Sequence, residues 1–250
     1  MSTQNKVTAD WVAVDWGTSN ARAWAMSSEG RALAQATSDQ GMSSLTATGY
    51  EGVLLDMIAP WLGAGQTDVV ICGMAGSRQG WAEATYASVP AEPIGGALAP
   101  APTQDPRLSV HIAPGLSQST PPDVMRGEET QIAGFLFHNP DFDGVICLPG
   151  THSKWVHISA GEVVSFRTFL TGELFETLAH HRVLRHSIGE GWDSGVLDSA
   201  VDEALSKPEM LAAHLKPHGV LLSYENPDIL ETGGGLRAAL PLLGSGPVVT

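Results

Sequence analysis

The chain of 250 residues is long enough for one large domain or two smaller ones, and its 43% of hydrophobic residues allows a sizeable core. Its net charge of −14 argues against non-specific binding to nucleic acid or to an anionic membrane. The sequence shows no run of about 18 apolar residues and no apolar signal-peptide stretch, so a soluble cytoplasmic protein is expected. Cys72 and Cys147 each lie in an apolar, strand-like run. They are interpreted as buried inert thiols, without zinc or disulfide spacing.

The first predicted element is a β-hairpin with a polar turn. A buried strand reaches Val14, Asp15 follows it, and a second apolar strand runs over residues 21–26. The turn offers hydroxyls, an amide and backbone N–H groups that suit phosphate oxygens, from Gly17, Thr18, Ser19 and Asn20. Asp15 is placed to hold a metal-bound water. An ordinary hairpin with Asn and Gly in its turn is the alternative interpretation.

The next segments alternate between strand and helix patterns. Residues 32–38 favour a strand, residues 49–62 place apolar side chains at helical spacing, and residues 68–72 favour a short buried strand. This order predicts an α/β sheet, in which ligands gather at the carboxyl ends of the strands. Residues 95–122 are rich in Pro, Ala, Ser and Thr, and we interpret them as a long surface excursion around one strand at 109–113.

Two adjacent acids open the next predicted helix. Glu128 and Glu129 follow Gly127 and fall in the first turn, where carboxylates favour the helix dipole. That electrostatic role is the simple explanation, and it is expected to account fully for one of the two.

A second hairpin with small residues at its tip is predicted in the other half of the chain. A buried strand at 144–148 ends in a loop, and strands at 155–158 and 162–169 follow. The loop contains Gly150, Thr151, His152 and Lys154. Thr171 is a candidate N-cap for a following helix, and residues 194–215 are helical by pattern.

Five motifs in this order closely resemble the 2-dehydro-3-deoxygalactonokinase family over residues 10 to about 214. They are DWGTSNAR, GMAGS, VMRGEETQ, PGTHSKWV and FRTFLTGEL. The first is similar to the first phosphate loop of the actin-like ATPase superfamily. The resemblance implies an α/β fold of the duplicated, ribonuclease-H-like type with a boundary near residue 140. It also implies phosphorylation of 2-dehydro-3-deoxy-D-galactonate at its 6-hydroxyl by ATP, in galactonate degradation.

The resemblance implies roles for individual residues. ATP and Mg²⁺ are the expected cofactors, and Asp15 is expected in the magnesium shell and as a further catalytic candidate. Glu128 is the favoured general base, by its likeness to the G-D-Q element of glycerol-kinase-like enzymes, with Glu129 in reserve. The nucleotide phosphates are expected to contact Gly17, Thr18, Ser19, Asn20, Gly150, Thr151, His152 and Lys154. For Lys154, a solvated strand-end lysine is the alternative interpretation.

The substrate is a sugar acid, whose carboxylate needs a cation, ideally a bidentate arginine. Arg78, Arg126 and Arg167 are the candidates, although each could instead make a structural ion pair. The expected partners are therefore the sugar acid and ATP, without nucleic acid or membrane, in a chain that could form a homo-oligomer.

The resemblance ends near residue 214, and the second domain is expected to be incomplete. Residues 217–250 look more like a segment of a sugar-phosphate nucleotidyltransferase, with the stretch LETGGGL. The expected division is 1–140, 141–215 and a divergent or foreign tail at 216–250. Two alternatives to an active kinase therefore stay open: a truncated or chimeric non-catalytic remnant, and a nucleotidyltransferase-related fusion product.

Overall fold

The computed structural model describes residues 7–181, 183–186, 193–206 and 248–249. These residues form two compact units. The first unit holds the chain up to Asp141 together with Gly161–Val163, and the second unit holds the remainder. Among the described residues, none of the helices is long and apolar enough to cross a membrane.

The described part of the first unit contains nine strands and two α-helices. They are β1 (Trp11–Trp16), β2 (Ala21–Met26), β3 (Ala32–Ser38), α1 (Tyr50–Ile58), β4 (Thr67–Gly73), β5 (Tyr86–Ser88), β6 (Ala99–Pro100), β7 (Leu108–Ile112), β8 (Gly115–Ser119), β9 (Pro122–Met125) and α2 (Glu128–His138).

Six of these strands form the main sheet, in the order β3-β2-β1-β4-β7-β6. β1, β2 and β3 pair antiparallel, whereas β4 pairs parallel with both β1 and β7. The parallel strands β1 and β4 therefore end at the same edge of the sheet, as the alternating sequence pattern predicted.

The two faces of β1 have different functions. Val12, Val14 and Trp16 are buried and belong to the hydrophobic core, which also takes in the apolar face of α1. Because side chains alternate along a strand, Asp15 points to the opposite face. The core face thus fixes the strand while the other face stays free for chemistry.

The segment interpreted as a surface excursion is more ordered than predicted. The one strand predicted within residues 95–122 is present as β7, but the segment also contains β6, β8 and the start of β9. β8 and β9 form a separate three-stranded sheet with β5, in the order β5-β8-β9. The prediction of a loop around one strand was wrong here, because Pro, Ser and Gly within short strands mask their alternation.

The second unit repeats the strand order of the main sheet. Its elements are β10 (Gly144–Leu148), β11 (Ser153–Ser159), β12 (Glu162–Phe169), α3 (Thr171–His180), α4 (Ser194–Ser206) and β13 (Val248–Val249). The sheet order is β12-β11-β10-β13, with β10 antiparallel to β11 and parallel to β13. This strand order is the same as that of β3-β2-β1-β4 in the first unit. The duplicated strand order confirms the predicted actin-like, ribonuclease-H-like α/β fold.

The prediction that Thr171 caps the following helix was wrong. Thr171 is the first residue of α3, and Leu170 holds the N-cap position, where its apolar side chain cannot accept a hydrogen bond. The Thr171 hydroxyl instead bonds with the Ser153 hydroxyl and the Gly150 carbonyl. α4 ends at Ser206, and the remainder of the predicted helix to residue 215 lies outside the described residues. The predicted tail at 216–250 also lies outside them, apart from β13.

Candidate active site

Strand register positions Asp15 between two polar side chains. Asp15 lies opposite Arg22 on β2 and opposite Cys72 on β4. Arg22 Nη2 donates to Asp15 Oδ2 over 2.5 Å, and Cys72 Sγ lies 4.0 Å from Asp15 Oδ1. The Asp15 side chain keeps 27% of its surface exposed, so a ligand can reach it.

Asp15 lines a cavity of about 300 Å³ within the first unit. The lining residues come from β1, β2, the end of β4 and the start of α2: Val14, Asp15, Arg22, Trp24, Cys72, Gly127, Thr130 and Gln131. Concave sites of this kind, with a few convergent polar groups, are typical of small-molecule binding.

A contact between two glycines brings α2 close to β4. Gly73 and Gly127 have φ angles of 90° and 111°, which strongly favour glycine. A Cβ at Gly127 would lie 3.3 Å from the Gly73 Cα, and a Cβ at Gly73 would lie 2.5 Å from the Trp16 carbonyl oxygen. The close backbone approach places the first turn of α2 beside Asp15.

The two acids that open α2 have different environments. Glu129 is fully buried, and its Oε2 accepts the Gly127 N–H over 2.6 Å. Burial raises the pKa of Glu129 from 4.5 to about 7, against the lowering effect of its backbone hydrogen bonds. Glu128 is half-buried, and its Oε2 accepts the Arg126 N–H over 3.1 Å. Of the two carboxylates, only that of Glu128 is open to a ligand.

Cys72 is an unreactive member of this cluster. Burial, followed by the negative charges of Asp15 and Glu129, raises the pKa of the Cys72 thiol to about 12. A thiol in this state is a weak nucleophile, since the thiolate is the reactive form. The prediction of complete burial was wrong, because Cys72 and Cys147 are both half-buried. Burial nevertheless also raises the pKa of the Cys147 thiol to about 12, which favours an unreactive thiol.

The turn of the first hairpin has its carbonyl groups directed into the protein. The carbonyl oxygens of Gly17, Thr18 and Ser19 accept N–H groups of Met42, Ser43 and Gly41, and the Asn20 carbonyl accepts the Gly17 N–H. The side chains of Thr18, Ser19 and Asn20 are exposed. Because the carbonyl oxygens are occupied, the exposed surface of the turn presents hydroxyl and amide side chains that can donate to an anion.

In the second unit, the loop between β10 and β11 also has carbonyl oxygens that accept hydrogen bonds from the protein. The Gly150 carbonyl accepts the Thr171 hydroxyl over 3.3 Å, and the Thr151 carbonyl accepts the Glu173 N–H over 3.0 Å. Thr151 and His152 are exposed, and His152 Nε2 lies 2.5 Å from a Glu173 carboxylate oxygen. The start of α3 therefore holds this loop in a fixed shape.

The remaining cations named from the sequence differ in their availability. Lys154 is buried, and its ammonium donates to the Thr168 hydroxyl over 2.8 Å, so it is not a solvated lysine. Arg126 is buried as well. Its guanidinium donates to the Tyr86 hydroxyl and to the carbonyls of Ala84 and Ala113, which favours a structural role.

Arg78 and Arg167 are exposed. Arg78 lies in the loop after β4 in the first unit, and Arg167 lies on β12 in the second.

The donor set around Asp15 is compatible with magnesium. Within the described ranges, no group of three or more His, Cys, Asp or Glu side chains is arranged to hold a metal ion. Mg²⁺ does not need such a cage, because it keeps several waters and is commonly bound through one or two carboxylates together with substrate phosphates. One accessible carboxylate in an open cavity fits that pattern.

The sequence interpretation missed several residues that line or support this cavity. Arg22, Cys72, Thr130 and Gln131 line it, and Gly41 helps to hold the first turn. A signal for Arg22 was present: in a hairpin with a turn at residues 17–20, positions 15 and 22 pair directly.

Comparisons with known proteins place this site in context. A family model described as 2-keto-3-deoxy-galactonokinase matches residues 15–217. A protein of Rhizobium meliloti (strain 1021) named "Probable 2-dehydro-3-deoxygalactonokinase" is 38% identical over 253 residues, covering 95% of this chain and 82% of the relative. The 2-dehydro-3-deoxygalactonokinase of Escherichia coli (strain K12) is 38% identical over 190 residues, covering 74% of this chain and 60% of the relative.

A solved structure is similar over nearly the whole chain. It is a crystal structure of a Sinorhizobium meliloti protein assigned to 2-dehydro-3-deoxygalactonokinase, with a TM-score of 0.77 and 36% identity. The match covers 94% of this chain and 83% of that one. These relatives give no support to the nucleotidyltransferase resemblance of residues 217–250.

Proposed function

The chain belongs to the 2-keto-3-deoxy-galactonokinase family, and we therefore propose that it transfers the γ-phosphoryl group of ATP to the 6-hydroxyl of 2-dehydro-3-deoxy-D-galactonate. The main structural support for this proposed reaction is the cavity at the carboxyl end of β1, whose wall contains the accessible carboxylate of Asp15. Phosphoryl transfer needs positioning and charge neutralisation more than covalent chemistry, and an accessible carboxylate that holds a metal ion would contribute to both.

The proposed phosphate contacts are the two loops whose carbonyl oxygens accept hydrogen bonds from the protein. The carbonyl oxygens of residues 17–20 in the first unit, and those of Gly150 and Thr151 in the second, accept hydrogen bonds from the protein. An anion approaching either loop is therefore not repelled by those oxygens, and exposed polar side chains of both loops can donate to it: Thr18, Ser19, Asn20, Thr151 and His152. Lys154 is buried, and its ammonium donates to Thr168, which makes a direct phosphate contact by this lysine less favoured than by the exposed Thr151 and His152.

Asp15 would hold the magnesium ion, mainly through water. When bound, the ion neutralises oxygen charge on the β- and γ-phosphates. Arg22 has a different role, because its ion pair holds the Asp15 carboxylate in a fixed orientation along the hairpin.

Glu128 is the proposed general base. Its half-buried carboxylate stands at the first position of α2, where it can accept the proton of the substrate hydroxyl. Glu129 was the reserve candidate, but its complete burial separates it from any substrate, and its bond to the Gly127 N–H supports a role in shaping the start of α2.

A coupled ADP-release assay with ATP, Mg²⁺ and the sugar acid tests this proposal, with the product phosphate located by mass spectrometry. Glu128→Gln is expected to lower kcat by about 10²–10⁴-fold with a much smaller change in KM. Glu129→Gln is the matched variant one residue away, and it should keep most of the turnover. ADP release that does not depend on the sugar acid would refute the proposed activity. Equal turnover in wild type and Glu128→Gln would instead remove Glu128 from the chemistry.

A further inference from the structure

The first unit has few cationic side chains, and nearly all of them form ion pairs or hydrogen bonds. Residues 7–141 contain five Lys or Arg residues, all of them arginine. Arg22, Arg31 and Arg107 form ion pairs with Asp15, Glu29 and Asp105.

Arg126 donates to Tyr86 and to two backbone carbonyls. Within these residues, Arg78 is the guanidinium that has no ion pair or hydrogen bond in the structure.

Arg78 lies in a loop that is attached at both ends to the residue next to Asp15. The loop leaves β4 at Gly73, which lies opposite Trp16 and in close contact with its carbonyl. It ends at Trp81, whose ring packs edge-on against the Trp16 ring at 6.3 Å between centroids. The loop therefore starts at the edge of the sheet where β1 and β4 end, next to Asp15, and Trp81 anchors its other end on the core face of β1.

The same loop is held in one shape by its own backbone. The Ser77 N–H bonds to the Met74 carbonyl, the Gly80 N–H to the Ser77 carbonyl, and the Trp81 N–H to the Ala75 carbonyl. Between these bonds, Arg78 and Gln79 are exposed while their neighbours Ser77 and Gly80 are buried. A cation on such a scaffold loses little backbone freedom when a ligand binds.

We propose that Arg78 binds the carboxylate of the sugar-acid substrate and makes the site select acids over neutral sugars. This inference rests on the proposed function. Guanidinium and carboxylate match as a two-bond fork, and such charge-assisted bonds are the stronger hydrogen bonds in proteins. In a chain of net charge −14, an unpaired local cation is also needed to offset repulsion of an anionic substrate.

The competing arginines are less suited. The donors of Arg126 are used inside the protein, and its guanidinium carbon lies 4.2 Å from the centroid of the Tyr86 ring. Arg167 is exposed as well, and it lies on β12 in the second unit. Arg167 is therefore the right competitor for a direct experimental comparison.

The experiment measures kcat/KM for the sugar acid and for its carboxamide, in which the carboxylate is replaced by a neutral amide. Arg78→Met is expected to lower kcat/KM for the acid by roughly 10- to 100-fold, since a lost charge-assisted pair has that effect. The carboxamide should be processed equally by both forms, and Arg78→Lys should recover part of the preference for the acid. Arg31→Met, which removes an exposed arginine at the far end of β2, is the control with wild-type values.

The outcomes separate the two proposals. A wild-type enzyme that prefers the acid, together with an Arg78→Met variant that keeps the same preference, overturns the role of Arg78. Loss of preference in Arg167→Met instead of Arg78→Met assigns the carboxylate to Arg167 and also overturns it. If the wild-type chain binds the acid without turnover, the proposed function fails. Calorimetry then tests the role of Arg78 separately, by comparing how the acid binds to wild type and to Arg78→Met. Absence of binding to wild type counts against both the proposed function and the role of Arg78.

Discussion

Glu129 should make the folded protein less stable as the pH rises, and Glu129→Gln should remove that dependence. The carboxyl group is completely buried, and burial raises its pKa from 4.5 to about 7. The unfolded chain therefore releases this proton near pH 4.5, whereas the folded chain keeps it until about pH 7. Between these values the unfolded state binds fewer protons than the folded state, so the free energy of unfolding falls as pH increases.

The magnitude follows from the size of the shift. One pKa unit corresponds to about 1.4 kcal/mol, and the effect is complete once the pH exceeds the folded-state pKa. Most of the interval between the two pKa values of Glu129, 4.5 and about 7, lies between about pH 5 and about pH 8. Over this pH range the free energy of unfolding of wild type should therefore fall by about 2–3 kcal/mol relative to that of Glu129→Gln.

Urea unfolding of both proteins at about pH 5 and about pH 8 measures this difference. The variant should gain stability relative to wild type at the higher pH. Glu128→Gln removes a charge from the same helical turn, and it shows the helix-dipole contribution, roughly 0.3–1 kcal/mol, on its own. A stability difference between wild type and Glu129→Gln that is equal at the two pH values would refute the reasoning.

Three further outcomes are expected from other parts of the first unit. Gly73→Ala should lower the free energy of unfolding by about 1–3 kcal/mol or more, measured by urea titration, because φ is 90° there and the new Cβ would meet the Trp16 carbonyl. Tyr50→Phe should leave the melting temperature unchanged or raise it, because the buried Tyr50 hydroxyl has no hydrogen-bond partner among the described residues. Cys72 should resist iodoacetamide in the native protein near pH 8 and react after unfolding in urea, as mass spectrometry of the alkylated peptide will show, because burial holds its pKa at about 12.

The sequence allowed the sheet that carries the site to be predicted well. β2, β3, β10 and β12 begin and end where the patterns predicted, because apolar alternation and glycine punctuation are strong local signals. The start of α2 at Glu128 was also predicted, since the acids of a first helical turn are visible in the sequence.

The details of the site depended on long-range geometry, which local patterns do not contain. Nothing in the adjacent pair Glu128 and Glu129 shows which carboxyl is buried, because the answer depends on the backbone approach of Gly127 to Gly73. The structural role of Arg126 depends on Tyr86 and on carbonyls more than ten residues away in the chain. The small sheet of β5, β8 and β9 was missed for a compositional reason, since its strands carry Ser, Pro and Gly.

The shape of the cavity is determined by backbone contacts more than by side chains. Parallel pairing of β1 with β4 places Gly73 against Trp16, and the positive φ angles of Gly73 and Gly127 let the first turn of α2 approach that edge. Side-chain changes at Asp15 or Glu128 leave these contacts in place, so their effects on turnover report on chemistry. A change at either glycine moves the scaffold itself, and it should therefore alter KM, kcat and stability together. Activity and stability measured together therefore distinguish the two kinds of variant, because a loss of kcat with unchanged stability indicates that a reacting group has been changed.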